Sequence, residues 1–290
     1  MQISSSSKQP ARPAWMLQLY EHSILLSMAI NTATHLFYTS ALNTYLTFCK
    51  LHDFDIGPTP ETLSLYVTYQ SMFINPKSID SYLSGFINQM EFFFPEVRKN
   101  HHSALISRTL KGAKRRHRVP IRCKNPSSLE DLKVICHDLK LPSNHDDLLF
   151  ISQLLIGFHG LLWLSKICFP DHLALQDFSK ISLHSSVQWL SHAFSFWLLS
   201  HKSDPTFKGS HIIIQQACQP PDSYSAFIKY LQSRDQCFTF NPELWLRANG
   251  TIPTRSWFIK CLAQFFPKDI ASQSLHSGST TNLAINWVRI

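Results

Sequence analysis

Arg108-Thr-Leu-Lys-Gly-Ala-Lys-Arg-Arg-His-Arg-Val-Pro-Ile-Arg-Cys-Lys124 divides this chain into two halves of different patterning. Its first part reads as a helix carrying Leu110 among long cationic side chains. Its second part, residues 119–126, is punctuated by Pro120 and Pro126 and reads as an extended linker. Widened to residues 98–124, the stretch holds ten Lys or Arg residues and no Asp or Glu. Lys111, Lys114, Arg115 and Arg118 fall at i, i+3, i+4 and i+7, so one helical face can lay four cations along a phosphate backbone. Arg116, Arg122 and Lys124 extend this candidate nucleic-acid-binding set. The run Lys114-Arg-Arg-His-Arg118 would also serve as a nuclear-import signal. A merely solvated charged face is the plainer alternative, and ten cations without one acid are lopsided for it.

Working back toward the N-terminus, apolar residues recur at helical spacing over residues 15–50: Leu17, Tyr20, Ile24, Leu25, Ala29, then Leu36, Tyr38, Leu42, Tyr45, Leu46 and Cys49. A turn follows at residues 53–58. Thr59-Pro60-Glu61 then opens a helix running to about Gln70. Asn75-Pro76 breaks the chain again, and residues 77–93 carry Ile79, Tyr82, Leu83, Phe86, Ile87 and Met90 on one face. A last helix over residues 103–116 turns Leu105, Ile106 and Leu110 inward. The expectation is a bundle of about four helices with short connections. Phe92-Phe-Phe94 and Phe265-Phe266 sit beside prolines, where helix ends usually pack.

Working forward from the linker, Ser128-Leu-Glu130-Asp131 has the signature of a helix start with acids in its first turn. A buried helix is expected over residues 146–164. Two β-prone runs, 187–199 and 211–215, flank a polar turn at residues 201–205, and helical patterns resume over 221–232 and 256–265. Residues 271–284 read as a polar turn running into a helix, with Gln273 and His276 on one face, where they could converge on one anionic group. The resulting division is a disordered, Ser-rich tail over 1–14, a helical domain over 15–118, a basic linker over 119–128, and a mixed domain over 129–290.

Composition sets bounds on this reading. The 290 residues suffice for two domains with cores of their own, and a 44% apolar share marks a globular chain. A net charge of +8 points to a polyanionic partner. The seven cysteines are scattered singly without a Cys-x-x-Cys pair, so reduced thiols are expected rather than a disulfide framework or a zinc site. The histidines show no paired spacing with Cys or acid, and neither a metal nor a small-molecule cofactor is implied. The N-terminus lacks the apolar core of a secretory signal, and the run 148–164 is interrupted by Ser152, Gln153, His159 and Gly160, so no membrane span is expected.

Residues 33–287 resemble the tyrosine recombinases, DNA breaking-rejoining enzymes, and in particular their fungal mobile-element type. The most specific piece is Gly160-Leu-Leu-Trp-Leu-Ser-Lys-Ile-Cys-Phe-Pro-Asp-His-Leu-Ala-Leu175. Family members read there as Gly-Leu-Leu-Arg-(Leu/Ile)-(Ser/Gly)-Glu-Leu, with Trp-Pro-Asp behind. The junction Arg108 to His117 and the stretch around His276 resemble the family as well. The resemblance implies a mainly α protein. It would comprise a four-helix, SAM-like core-binding domain and an incomplete mixed α+β catalytic domain with a small antiparallel sheet, clamped on double-stranded DNA and acting as a homo-oligomer there.

The family's chemistry uses a Tyr nucleophile, two Arg residues on the nonbridging phosphate oxygens, a hairpin Lys that protonates the leaving oxygen, and a His with a second His or Trp. By resemblance, the first Arg falls on Trp163, the acid three residues later on Lys166, the hairpin Lys on Lys202, and the His-x-x-Arg pair on Gln273 and His276. Only Lys202 is retained. The Tyr nucleophile is expected beyond residue 290, since Tyr224 and Tyr230 precede the Gln-x-x-His pair. The implied protein is a nuclear, DNA-binding pseudoenzyme of recombination and integration machinery. The exchanges at positions 163, 166, 276, 279 and 280 are each reachable by one C-to-T or G-to-A change, as in a decayed mobile-element copy. An active recombinase completed by a partner chain, or a helical protein-interaction scaffold, are the alternatives.

Overall fold

The computed structural model describes residues 25, 29–117, 125–139, 144–199, 208–217, 220–266 and 272–287. The chain forms two compact units, Met1–Ile121 and Arg122–Ile290. It is mainly helical, with one three-stranded antiparallel sheet. None of the described helices is long and apolar enough to cross a membrane.

The first unit holds α1 (Thr32–His52), α2 (Pro60–Gln70), α3 (Pro76–Met90), the single turn α4 (Val97–His101) and α5 (Ala104–Arg116). Each long helix starts at a side-chain cap on Asn31, Thr59, Asn75 or Ser103, which accepts from an N–H in the first turn that the helix itself cannot satisfy. In α2 and α3 a proline follows the cap, where its missing N–H does no harm. The expected bundle is therefore present, with α4 added. Of the apolar positions expected over residues 15–24, nothing lies within the described residues. The core centres on Tyr45, whose ring stacks on Phe86 at 4.5 Å and meets Tyr66 edge-on at 5.3 Å. The Tyr66 hydroxyl is not orphaned there, because Thr44 lies 2.7 Å away and Gln70 donates to it at 3.2 Å.

The phenylalanine run after α3 departs from expectation. Phe94 packs against the core, whereas Phe92 is 88% exposed and Phe93 is also exposed. The N–H groups of Phe93 and Phe94 both turn back to the carbonyl of Met90, and that tight turn sends one ring in and two out. Phe265 and Phe266 do pack on their core.

The second unit is built around α7 (His145–His159), buried on every side from Leu149 to Phe158. α6 (Leu129–Asp138) precedes it, opened by a reciprocal cap between Ser128 and Asp131. The buried helix stops at His159 rather than 164, because Gly160 closes it and Leu161 takes a left-handed φ of 53°. The expected run 187–199 is a hairpin: β1 (Gln188–Leu190) turns at Ser191-His192 into β2 (Ala193–Leu198), and β2 pairs on with β3 (Ser210–Gln215). Alternate residues of β2 face the core, where Phe194 stacks on Phe227 of α8 (Ser223–Cys237) at 4.1 Å. α9 (Arg255–Leu262) and α10 (Ser272–Trp287) complete the unit.

Within α8, Arg234 is almost fully buried and donates to the carbonyls of Phe238, Asn241 and Glu243. Its carboxylate partner is Asp235. The five described cysteines, at 49, 136, 168, 237 and 261, are free thiols. Burial pushes the Cys136 and Cys261 thiols up to about 11, so they behave as packing groups rather than thiolates.

Candidate nucleic-acid interface

α5 carries the expected cations, but Leu105, expected inward, is exposed, and Leu110 packs on the core only in part. Only Ile106 is buried, and the long cations lie outward. Lys114, Arg115 and Arg116 occupy its last turn, where positive charge complements the carbonyl end of the helix dipole. A surface hollow of about 530 Å³ is lined by Ser107, Leu110, Lys111, Lys114 and Arg115. Lys114 is ion-paired with Asp80 of α3. Arg98 pairs with Glu91, and Lys99 with Glu96. That leaves Arg108, Lys111, Arg115 and Arg116 exposed and, among the described residues, without a carboxylate partner. Arg118, Arg122 and Lys124 lie outside the described residues.

The cationic face thus differs in two places from the one the spacing suggests. Asp80 neutralises one of the four aligned cations from 34 residues away, which no local pattern could disclose. Arg108, at i and i+7 with Arg115, belongs to the exposed set, and its helical spacing was visible in the sequence.

The second cluster lies in the other unit. Residues 272–287 are helical from Ser272, with no preceding turn among the described residues. The polar side chains do not oppose the helix, because Ser277, Thr280 and Thr281 return their hydroxyls to carbonyls three or four residues back. One face of α10 is packed tightly: Ser279 donates to the Phe158 carbonyl, and Ser127 N–H donates to the Ser274 carbonyl at 3.0 Å.

That docking brings His276 onto Trp163, with ring centroids 4.4 Å apart and planes 29° from parallel. Trp163 lies in the loop after α7 and is 51% exposed. Two of the positions singled out in the sequence thus meet in space although they are far apart in the chain. Gln273 is exposed, one helical turn before His276, whose imidazole lies on the indole. The His276 Nδ1 is buried and has no hydrogen-bond partner among the described residues. At Lys166, burial, with Lys180 adding to it, pushes the ammonium below its usual range. Lys202, in the segment between β2 and β3, lies outside the described residues.

Tyr224 and Tyr230, which precede this helix, are both engaged in packing. The Tyr230 hydroxyl donates to the Leu244 carbonyl at 2.9 Å and accepts from Leu246 N–H at 2.8 Å. Burial holds it protonated. Tyr224 packs edge-on to Trp189. The cluster has aromatic surface but no guanidinium fork at positions 163 and 276 to hold a phosphoryl group.

No family model and no curated protein matches the chain. Among solved structures it is similar to the XerH site-specific recombinase bound to difH substrate in a pre-cleavage complex, at 11% identity and a TM-score of 0.39. The match covers 74% of this chain and 60% of that one. A likeness of that size settles neither family nor activity.

Proposed function

We propose that this chain binds double-stranded DNA through the cationic face of α5 and does not cleave it. The observation that carries the reading is the exposed set Arg108, Lys111, Arg115 and Arg116, which has no carboxylate partner among the described residues. Cations left uncompensated keep a field outside the molecule, and a duplex backbone releases counterions when they meet it. Such contacts supply affinity and salt sensitivity rather than base choice.

The absence of cleavage rests on the motif resemblance together with Trp163 and His276. At the two positions where that resemblance puts Arg forks stand stacked aromatic rings. Loss of one preorganised donor to a transition-state oxyanion lowers a rate by a factor of about 10²–10³. The same resemblance supports descent from a tyrosine recombinase of a mobile element, and the run 114–118 supports a nuclear location.

The test is duplex binding by fluorescence anisotropy across a salt series. Affinity should fall steeply with salt, and R115E/R116E should flatten the log-log slope by about 0.9 for each phosphate that is no longer neutralised. Salt-independent binding, or a slope unchanged in that variant, refutes the interface. A nicked suicide duplex should leave no covalent adduct on a denaturing gel. An adduct there would overturn the pseudoenzyme reading and leave the DNA-binding one standing.

A further inference from the structure

The sheet order β1-β2-β3 makes β3 an edge strand, and its hydrogen-bonding direction follows from the register. The Gln216 N–H reaches the His192 carbonyl at 2.8 Å, so pairs 192/216, 194/214, 196/212 and 198/210 exchange bonds across β2 and β3. The N–H and C=O groups of His211, Ile213 and Gln215 therefore point away from β2, and no described backbone group meets them. The same three residues have their side chains exposed, Ile213 to 59%.

Natural sheets guard such edges with Lys, Pro, a bulge or a very short strand. β1, at the opposite edge, is guarded by being only three residues long. β3, six residues reading Ser-His-Ile-Ile-Ile-Gln, has none of these guards. It is also self-complementary. Turned antiparallel about a two-fold axis at Ile213, it sets 213 opposite 213 and 211 opposite 215. Every outward N–H and C=O then finds its counterpart, no like charges oppose each other at neutral pH, and Ile212, half-buried against the core, lies beside Ile214 of the other copy.

We infer that β3 is a self-association edge, and that its occupant is the β3 strand of a second copy of this chain, giving a continuous six-stranded sheet across the dimer. An isologous contact of this kind uses up the β3 edge of each copy and stops at two, since only the short β1 edges remain. The inference stands apart from DNA binding, because neither β3 nor its partner groups belong to the α5 face.

Sedimentation of the full chain without DNA, over about a hundredfold concentration range in the micromolar region, tests it. A monomer–dimer equilibrium that saturates at two is expected. I213K sets two ammoniums face to face on the axis and should weaken the dimer at least about tenfold, whereas I213T should retain it. Circular dichroism should be unchanged in both, since this side chain meets solvent. The register has its own check: H211K/Q215K should weaken association, and H211K/Q215E, which places Lys opposite Glu across the axis, should restore or tighten it. A chain monomeric throughout, assembly that grows past two, a dimer indifferent to I213K, or equal behaviour of the two double variants overturns the proposal. Pairing with a strand of another protein in place of the dimer overturns it too.

Discussion

α5 and α10 are both polar helices, and they use polarity in opposite ways. α5 buries a single residue and leaves long cations to solvent, where their charge acts at a distance. α10 turns short hydroxyls and a glycine inward, where they let backbones approach. The difference is one of side-chain length and charge. An ammonium or guanidinium cannot be buried unpaired, so it marks a surface that meets something else. A serine hydroxyl can be satisfied by its own helix and so becomes part of the packing.

The sharpest way to break this contrast is at the two glycines. A Cβ at Gly278 would stand 1.9 Å from the Ser127 carbonyl oxygen, whereas one at Gly112 meets nothing within 4 Å. Gly278→Val should lower stability by about 3 kcal/mol or more in urea unfolding, because backbone must move to admit it. Gly112→Ala should raise it by about 0.5–1 kcal/mol through the unfolded chain's lost freedom alone. Equal effects would mean that α10 is no more tightly docked than α5.

A smaller effect tests the charge side of the comparison. Asp80→Asn should release Lys114 and raise duplex affinity by about two- to fivefold, with stability nearly unchanged because both partners are half-exposed. Weaker DNA binding in that variant would show that the pair positions Lys114 rather than masking it.

The smallest concerns His159, whose Nδ1 lies 2.6 Å from Ser223 Oγ. Burial depresses its folded pKa below the ordinary histidine value, with Asp222 opposing in part. The unfolded chain takes up the proton first, below about pH 6.5, so this stability is present above that pH and is lost as pH falls toward the depressed folded value. Urea midpoints compared at about pH 8 and pH 5.5 should differ less in H159Q than in the natural chain.

The starts of α2, α3 and α6 were legible because a cap, a proline or an acidic first turn is a local signal read over a few residues. The split of residues 187–199 into two strands was not, since Ser191-His192 is an ordinary pair whose turn is imposed by strands packing on α8. Trp163 was singled out only by resemblance to a motif. Its stacking on His276 was invisible, as was the hold of Asp80 on Lys114.

By itself the sequence determined the helical first half, the mixed second half, the cationic junction between them and the aromatic residues at positions 163 and 276. Each is a matter of composition or short-range spacing, which the chain carries whatever its neighbours do. Only the tertiary structure decided which cations of α5 lack a carboxylate partner among the described residues, that Trp163 and His276 share one stack, and that the outward groups of β3 meet no partner among the described residues. Those depend on contacts between residues far apart in the chain, whose meeting is set by the packing of whole helices and strands.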